Sequence, residues 1–207
     1  MKENVKVKEF NVMGRIALST VEFDIMKNGE VKTKKNNLAT RCLDMDKFQE
    51  RLLTRNHCDG VVIVGLYENN GEIYIPIIKE YRPASGYIWS FPAGQLEGDE
   101  PIENAVIREL KEETGLDAIV NTIAVQKPTY TSVGITDQRT CIAFTKCKGV
   151  VSDKYTTPSE DITAKLFSIN DIKELLNSDE EIACNTRLVL GLLAIGDGDI
   201  EKIRKYL

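Results

Sequence analysis

The sequence predicts an α/β (α+β) fold, one core of strands and helices with a small β-rich element near its N-terminus. Three observations carry this. Gly60–Leu66 is an unbroken apolar run rich in β-branched residues, as expected of a strand buried on both faces. Pro101–Gly115 repeats apolar residues at helical spacing, between a proline suited to the first helical position and a glycine suited to the left-handed stop. Lys27-Asn28-Gly29-Glu30 places the Asn-Gly pair of a tight hairpin after the partly alternating stretch Ile16–Ile25. With 207 residues and 42% hydrophobic content, the chain can bury such a core and carry an extra element.

In chain order, Ile16–Ile25 and the polar return strand Val31–Lys35 form the first hairpin, the second strand lying at an edge. The segment to about Asp44 is not expected to hold a core of its own. The division is accordingly a β-rich segment over 1–50 and a main domain over 51–207. Met45–Asn56 reads equally as a short helix or an extended link. After Gly60–Leu66, the Glu68-Asn69-Asn70-Gly71 turn leads to a strand over Glu72–Glu80, a loop at Tyr81-Arg82-Pro83-Ala84 and the aromatic run Tyr87–Phe91. Tyr87, Trp89 and Phe91 alternate onto one face, which favours packing for most of them. Asp117–Gln126 and Gln138–Lys146 read as strands around the loop Lys127–Asp137, and Ile162–Ile169 as a further strand. Ser168 or Asn170 can cap a helix over Asp171–Leu176, and Thr186–Ile195 and Ile200–Leu207 read as helical.

Composition narrows the functional classes. A net charge of −5 provides no basic footprint for nucleic acid and no polybasic patch for a membrane surface. No apolar run approaches the roughly 20 residues of a membrane span, and the charged stretch Met1–Glu9 does not read as a signal peptide. The five cysteines (Cys42, Cys58, Cys141, Cys147, Cys184) form no C-x-x-C pair and are odd in number, which points to reduced thiols in a cytoplasm. His57 is the single histidine and reads as a polar loop residue.

Chemistry concentrates in Gly94–Leu116. At about 100° per residue, Glu109 and Glu113 project into the sector of Ile102 and Val106, and Glu112 lies roughly a quarter-turn away. Ile102, Ala105, Val106 and Leu110 form the expected buried stripe, so two acids share it. Adjacent buried carboxylates stay ionised only beside a cation. A hard divalent metal suits oxygen ligands, and Mg²⁺ is the usual one where phosphate is the substrate. The ordinary alternative is a solvated helix laced by Arg108, Lys111 and i,i+4 pairs.

Gly94, Glu100 and the run Arg108-Glu109-Leu110-Lys111-Glu112-Glu113-Thr114-Gly115-Leu116 resemble the Nudix box in every defining position. With each residue type at about 5–8% usage, such a pattern arises by chance on the order of once in 10⁹ start positions. Tyr81-Arg82-Pro83-Ala84 and Phe91-Pro92-Ala93-Gly94 further resemble the ADP-ribose pyrophosphatase branch of that superfamily. The loop Ser132–Gln138 lies where that branch carries a Ser-Pro-Gly loop ending in an acid, but here Val133 replaces the proline and Gln138 stands where a catalytic glutamate is often found.

The resemblance implies a Nudix fold, a mixed sheet sandwiched between helices, and a homodimer that exchanges the N-terminal segment. It also implies hydrolysis of a pyrophosphate bond in a small nucleoside diphosphate derivative, with ADP-ribose leading and another nucleotide sugar as the enzymatic alternative. A non-catalytic ADP-ribose sensor is the alternative of a different class, motivated by Gln138. Glu109, Glu112 and Glu113 are the expected metal ligands, joined on the family pattern by the Ala93 carbonyl, with Mg²⁺ or alternatively Mn²⁺ as the ion. Arg108 is expected to orient Glu109 or Glu112 through a bidentate ion pair. Arg82 is expected on a substrate phosphate, with a surface salt bridge as the ordinary reading. Glu100 suits the helix dipole and reads equally as structural. The general base is open among Glu109, Glu113, Asp137, Glu160 and Asp161, with a box glutamate preferred.

Overall fold

The computed structural model describes residues 4–156 and 161–199, so the expected helix over Ile200–Leu207 and Glu160 lie outside the described residues. The chain folds into two compact units, one holding the chain to Asp59 with Pro128–Thr140, the other Gly60–Lys127 with the chain from Cys141.

The first unit is built on an antiparallel sheet of β1 (Lys6–Met13), β2 (Ile16–Lys27) and β3 (Glu30–Thr40), in the order β1-β2-β3. Asn28 and Gly29 turn the second hairpin with φ of 55° and 81°, the paired positive values that match strand twist. Along β2, Ala17, Ser19 and Val21 are buried while Ile16 and Leu18 are exposed, so one face is covered. Met45–Asn56, which the sequence left open, forms helix α1 (Met45–Thr54), capped by the Asp44 side chain accepting from the Lys47 N–H. Phe48 on α1 packs with Val21 and Cys42, and Val7, Phe10, Leu38 and Leu52 close around them. The core over the hairpin is completed from outside the segment to Asp44, by Phe48 and Leu52 of α1.

The second unit begins with β4 (Gly60–Asn69) and β5 (Glu72–Arg82), joined by an Asn70-Gly71 turn, followed by β6 (Gly86–Ser90) and β7 (Ala93–Gln95). Helix α2 (Ile102–Thr114) follows. The expected strand over Asp117–Gln126 is broken into β8 (Asp117–Ala118), a 3₁₀ turn at Val120–Thr122 and β9 (Ala124–Val125). Its middle leaves the ladder because the Ile119 carbonyl accepts from the Thr122 N–H, and Thr122 Oγ1 donates to the same carbonyl. In the first unit the short β10 (Thr129–Tyr130) pairs with Arg139 and Thr140, the start of β11 (Arg139–Lys148), whose remainder belongs to the second unit. Next come β12 (Ile162–Phe167), α3 (Ile169–Leu176) and α4 (Cys184–Ile195). Ser168, not Asn170, caps α3 in a reciprocal capping box with Asp171.

The sheet of the second unit runs β11-β4-β5-β12, with β6 on β5, β7 on β4, and β8 and β9 on β11. The unbroken apolar run is explained by burial on both faces. Val61 and Ile63 meet Ala105, Val106 and Leu110 of α2, while Val62 and Val64 meet Ile172 of α3 and Val189, Leu190 and Leu193 of α4. The mixed sheet is thus sandwiched between α2 and the pair α3–α4. Among the described residues no helix is long and apolar enough to cross a membrane.

Candidate active site

Two strands bring the chain to the acidic helix. The start of β4 pairs with β7 rather than with β5: Gly60 faces Gln95, Val61 faces Gly94 and Val62 faces Ala93. The Ile63 N–H donates to the Pro92 carbonyl at 2.8 Å, and the Phe91 N–H donates to the buried Thr186 hydroxyl at 3.0 Å. Pro92-Ala93-Gly94 is therefore clamped from both sides. A Cβ on Gly94 would lie 1.7 Å from Glu109 Oε1, and a Cβ on Gly60 would lie 2.5 Å from the Gly94 carbonyl oxygen. Both glycines are needed for β4, β7 and the Glu109 carboxylate to stack this closely.

Helix α2 presents its acids as the periodicity predicts. Pro101 is the cap residue, one position before the expected one, with φ −59° and ψ 142°, and Gly115 ends the helix in the left-handed region at φ 76°. Ala105, Val106 and Leu110 are fully buried, Ile102 is half-buried, and Glu109 and Glu113 are buried beside them. Glu112 is half-buried and turned further to solvent. Glu113 Oε2 accepts the Ala93 N–H at 2.8 Å, which ties the helix to β7.

Arg108 contacts Glu109 and Glu112 as expected, but not through a bidentate pair. No single carboxylate takes both arms of its fork. Nη1 donates to Glu109 Oε1 at 2.6 Å and to Glu112 Oε2 at 3.4 Å, while Nη2 donates to Glu100 Oε1 at 2.6 Å and to the Gln95 carbonyl at 2.9 Å. One guanidinium thus joins two box acids to the loop before the helix. These contacts raise the Arg108 pKa further, Glu100 contributing most. Glu100 also accepts the Glu97 N–H at 2.7 Å, and its carboxyl is held below the usual range, chiefly by the Arg108 hydrogen bond. Its ties are to the loop and to Arg108, which favours the structural reading. Lys111 serves the helix end, donating to the Gly115 carbonyl and to Asp117 at 2.9 Å each.

The other candidates lie as follows. Arg82 ends β5 with its side chain 62% exposed and pairs with Glu80 at 2.5 Å. Tyr87 is exposed, whereas Trp89 and Phe91 are buried in the core. Asp161 accepts from the Tyr87 hydroxyl. Asp137 is buried in the first unit beside His57, so the single histidine sits in a loop, as expected, but is enclosed rather than solvated. Sequence reasoning missed Gly60 and the Gln95 carbonyl. A glycine opening a β-branched run was the available signal for close backbone approach, whereas a main-chain carbonyl leaves no trace in residue types.

The donor set of Glu109, Glu112 and Glu113 offers only hard oxygens at i, i+3 and i+4 of one helix, a chemistry that fits a divalent cation of the Mg²⁺ class. In this structure Arg108 and the Ala93 N–H each engage one carboxylate oxygen of the buried pair. Among the described residues no group of three or more acids, histidines or cysteines is drawn together closely enough to hold a metal as placed. The residues fit a cation by their chemistry.

A family model for the NUDIX domain matches residues 56–185, more than half of the chain. The chain belongs to the Nudix family. Nudix enzymes use divalent metal ions, in keeping with the acidic face of α2. A Caenorhabditis elegans protein named among the nudix hydrolases is 34% identical over 92 residues, covering 44% of this chain and 41% of that protein. An ADP-ribose pyrophosphatase of Methanocaldococcus jannaschii is 27% identical over 123 residues, 59% of this chain and 70% of its own length. The chain spans less than half the length of the first curated relatives that it matches. A solved structure of an ADP compounds hydrolase shares the fold, with a TM-score of 0.63 over 96% of this chain and 97% of that one, at 16% identity.

Proposed function

We propose that this Nudix protein hydrolyses the pyrophosphate bond of a small nucleoside diphosphate derivative, with ADP-ribose, yielding AMP and ribose 5-phosphate, as its leading substrate and Mg²⁺ as its ion. The observation that carries the reading is the buried pair Glu109 and Glu113, set against Gly94 and Ala93 and tied by Arg108 to Glu100. The similarity to ADP-ribose pyrophosphatases supports the substrate class.

In the reaction water adds to one phosphorus as the bridging P–O bond breaks, and the attacking water yields its proton to a base. Glu109, Glu112 and Glu113, with the Ala93 carbonyl, would hold the cation; a bound divalent ion neutralises the pyrophosphate and acidifies its water. Positioning and electrostatics supply most of the rate in such transfers. Arg108 keeps Glu109 and Glu112 ionised and aimed, and one of the buried glutamates serves as base. Arg82 is exposed enough to exchange Glu80 for a substrate phosphate, to which a guanidinium fork is matched. The reading includes a homodimer exchanging its N-terminal segment, residues 1–50, and a reducing cytoplasmic setting, in keeping with the thiols of Cys42, Cys147 and Cys184. A monomeric mass by light scattering at micromolar concentration would overturn the dimer.

The deciding experiment measures product release from a panel of nucleoside diphosphate derivatives, with and without Mg²⁺, in wild type and Glu113→Gln. ADP-ribose cleavage that needs metal and falls by about 10²-fold or more in the variant is expected. Cleavage of another panel member changes the substrate and keeps the chemistry. Tight ADP-ribose binding without release of AMP would replace hydrolysis with sensing.

A further inference from the structure

The only histidine in the chain lies in the first unit, enclosed with two carboxylates that the hydrolytic reading does not use. Arg55 leaves α1 in the left-handed region at φ 54°, and the short linker after it carries His57 and Asp59. The loop Pro128–Arg139 closes onto this linker and onto the end of β3. The Asp59 N–H donates to the Arg139 carbonyl at 2.8 Å, the Arg139 N–H donates to Asp59 Oδ2 at 2.9 Å, and the Ala39 N–H donates to the Ile135 carbonyl at 2.8 Å.

His57 sits at the centre of these contacts. Its Nε2 lies 3.1 Å from the Asp137 carbonyl, 3.6 Å from Asp59 Oδ2 and 3.9 Å from Asp137 Oδ2. The side chains of His57, Asp59 and Asp137 are 8%, 7% and 5% exposed. A carbonyl only accepts, so Nε2 carries the hydrogen and Nδ1 is the atom that gains or loses a proton. Among the described residues neither Nδ1 nor Asp137 Oδ2 has a hydrogen-bond partner. His57 and Asp137 line a cavity of about 420 Å³, room enough for water to reach them.

We propose that His57, Asp59 and Asp137 form a proton-operated latch that fastens the Pro128–Arg139 loop to β3 and the Arg55–Asp59 linker, closed while the imidazole is protonated and loosened when it is neutral. The charge inventory supports this. From α1, Arg51 is engaged by Asp59 Oδ1 at 2.7 Å, and Arg55, next to the linker, lines the same cavity. From β11, the Arg139 guanidinium donates to the Arg55 and Pro128 carbonyls and lies over the Tyr130 ring. From β3, the Thr40 hydroxyl donates to the Asp137 carboxylate. The imidazolium then stands with Arg51 as a cation near Asp137. Burial pushes the Asp137 carboxyl up, with Thr40, His57 and Arg51 opposing and Asp59 adding to the rise.

The test is an NMR pH titration of the full chain, in which one histidine gives one unambiguous imidazole signal. The amide shifts of Thr131, Ile135, Thr136 and Arg139 are expected to change with the same midpoint as the imidazole, and His57→Gln is expected to abolish that step while the α2 amides stay unchanged. Loop amides that remain flat through the imidazole midpoint, or a step that survives in His57→Gln, overturn the latch. Should His57→Gln not fold, Asp137→Asn reads the same coupling from the other side. There the imidazole midpoint is expected to fall, because a neighbouring carboxylate is lost, and an unchanged midpoint overturns the latch. Neither readout depends on hydrolysis, so the latch and the proposed activity fail separately.

Discussion

Two regions of this protein bury acids, and they compensate them in different ways. In the second unit Glu109 and Glu113 are answered locally, by Arg108 next in sequence and by the Ala93 N–H across a short strand contact. In the first unit Asp59 and Asp137 come from segments 78 positions apart and share Arg51, Thr40 and a histidine. The box acids are held by contacts that persist over the whole range in which carboxylates are ionised. The Asp137 site draws on a distant histidine and arginine, and among the described residues one of its oxygens has no hydrogen-bond partner. In the proposed reading the first arrangement holds charge ready for a ligand, and in the proposed latch the second couples a loop to protons.

Variants can break or sharpen this contrast. The largest effect is expected at Arg108→Met, which removes the cation joining Glu100, Glu109 and Glu112 and leaves buried carboxylates uncompensated. Urea unfolding at pH 7 is expected to show a loss of about 3 kcal/mol, and a loss below about 1 kcal/mol would mean that the acids do not need it. Next comes Gly94→Ala. Its methyl group would occupy the position of the Glu109 carboxylate, and a displaced acid is expected to reduce kcat by about 10²-fold, with far-UV circular dichroism unchanged. Activity near wild type would remove Glu109 from the reaction.

Glu100→Gln probes the local mode of compensation through pH. The Glu100 carboxyl is held below its ordinary value by Arg108, so its stabilisation is present above the unfolded value and is lost as pH falls through the folded one. The variant should cost about 1 kcal/mol at pH 7 and nothing in acid. A cost that persists at pH 3 would assign the effect to packing.

Asp137→Asn is expected to act with the opposite sign and with a similarly small effect. Burial raises the Asp137 value, so stability is greatest below the unfolded value and declines as pH rises through the folded one. Asparagine cannot ionise, and the variant should match wild type in acid and exceed it by about 1 kcal/mol at pH 8. Thermal melts across that range measure the divergence. A variant less stable than wild type at pH 8 would indicate that the ionised carboxylate is well paired there.

Much of the second unit is legible in the chain because its determinants are close in sequence. Periodicity alone put Glu109 and Glu113 on the buried stripe of α2, Gly115 marked its end, and the run after Gly60 announced a strand covered on both faces. Less legible was what distant segments do to one another. Met45–Thr54 is helical because Phe48 completes a core with Val21 and Cys42, a contact that no local preference encodes. The strand expected over Asp117–Gln126 broke at Val120–Thr122, where a side-chain hydroxyl captures a backbone carbonyl.

The sequence by itself determined the Nudix box, the acids it presents and the two-faced burial of β4, because helical and strand periods act within a few residues. Only the tertiary structure decided that Arg108 bridges three acids instead of clasping one, and that Gly60 must lack a side chain beneath Gly94. The same holds for His57, which reads as a loop residue in sequence and is enclosed in the fold by two aspartates. His57 and Asp137, 80 positions apart, meet only when the chain has folded. It is that meeting, through lost water and near charge, that sets what each group can do.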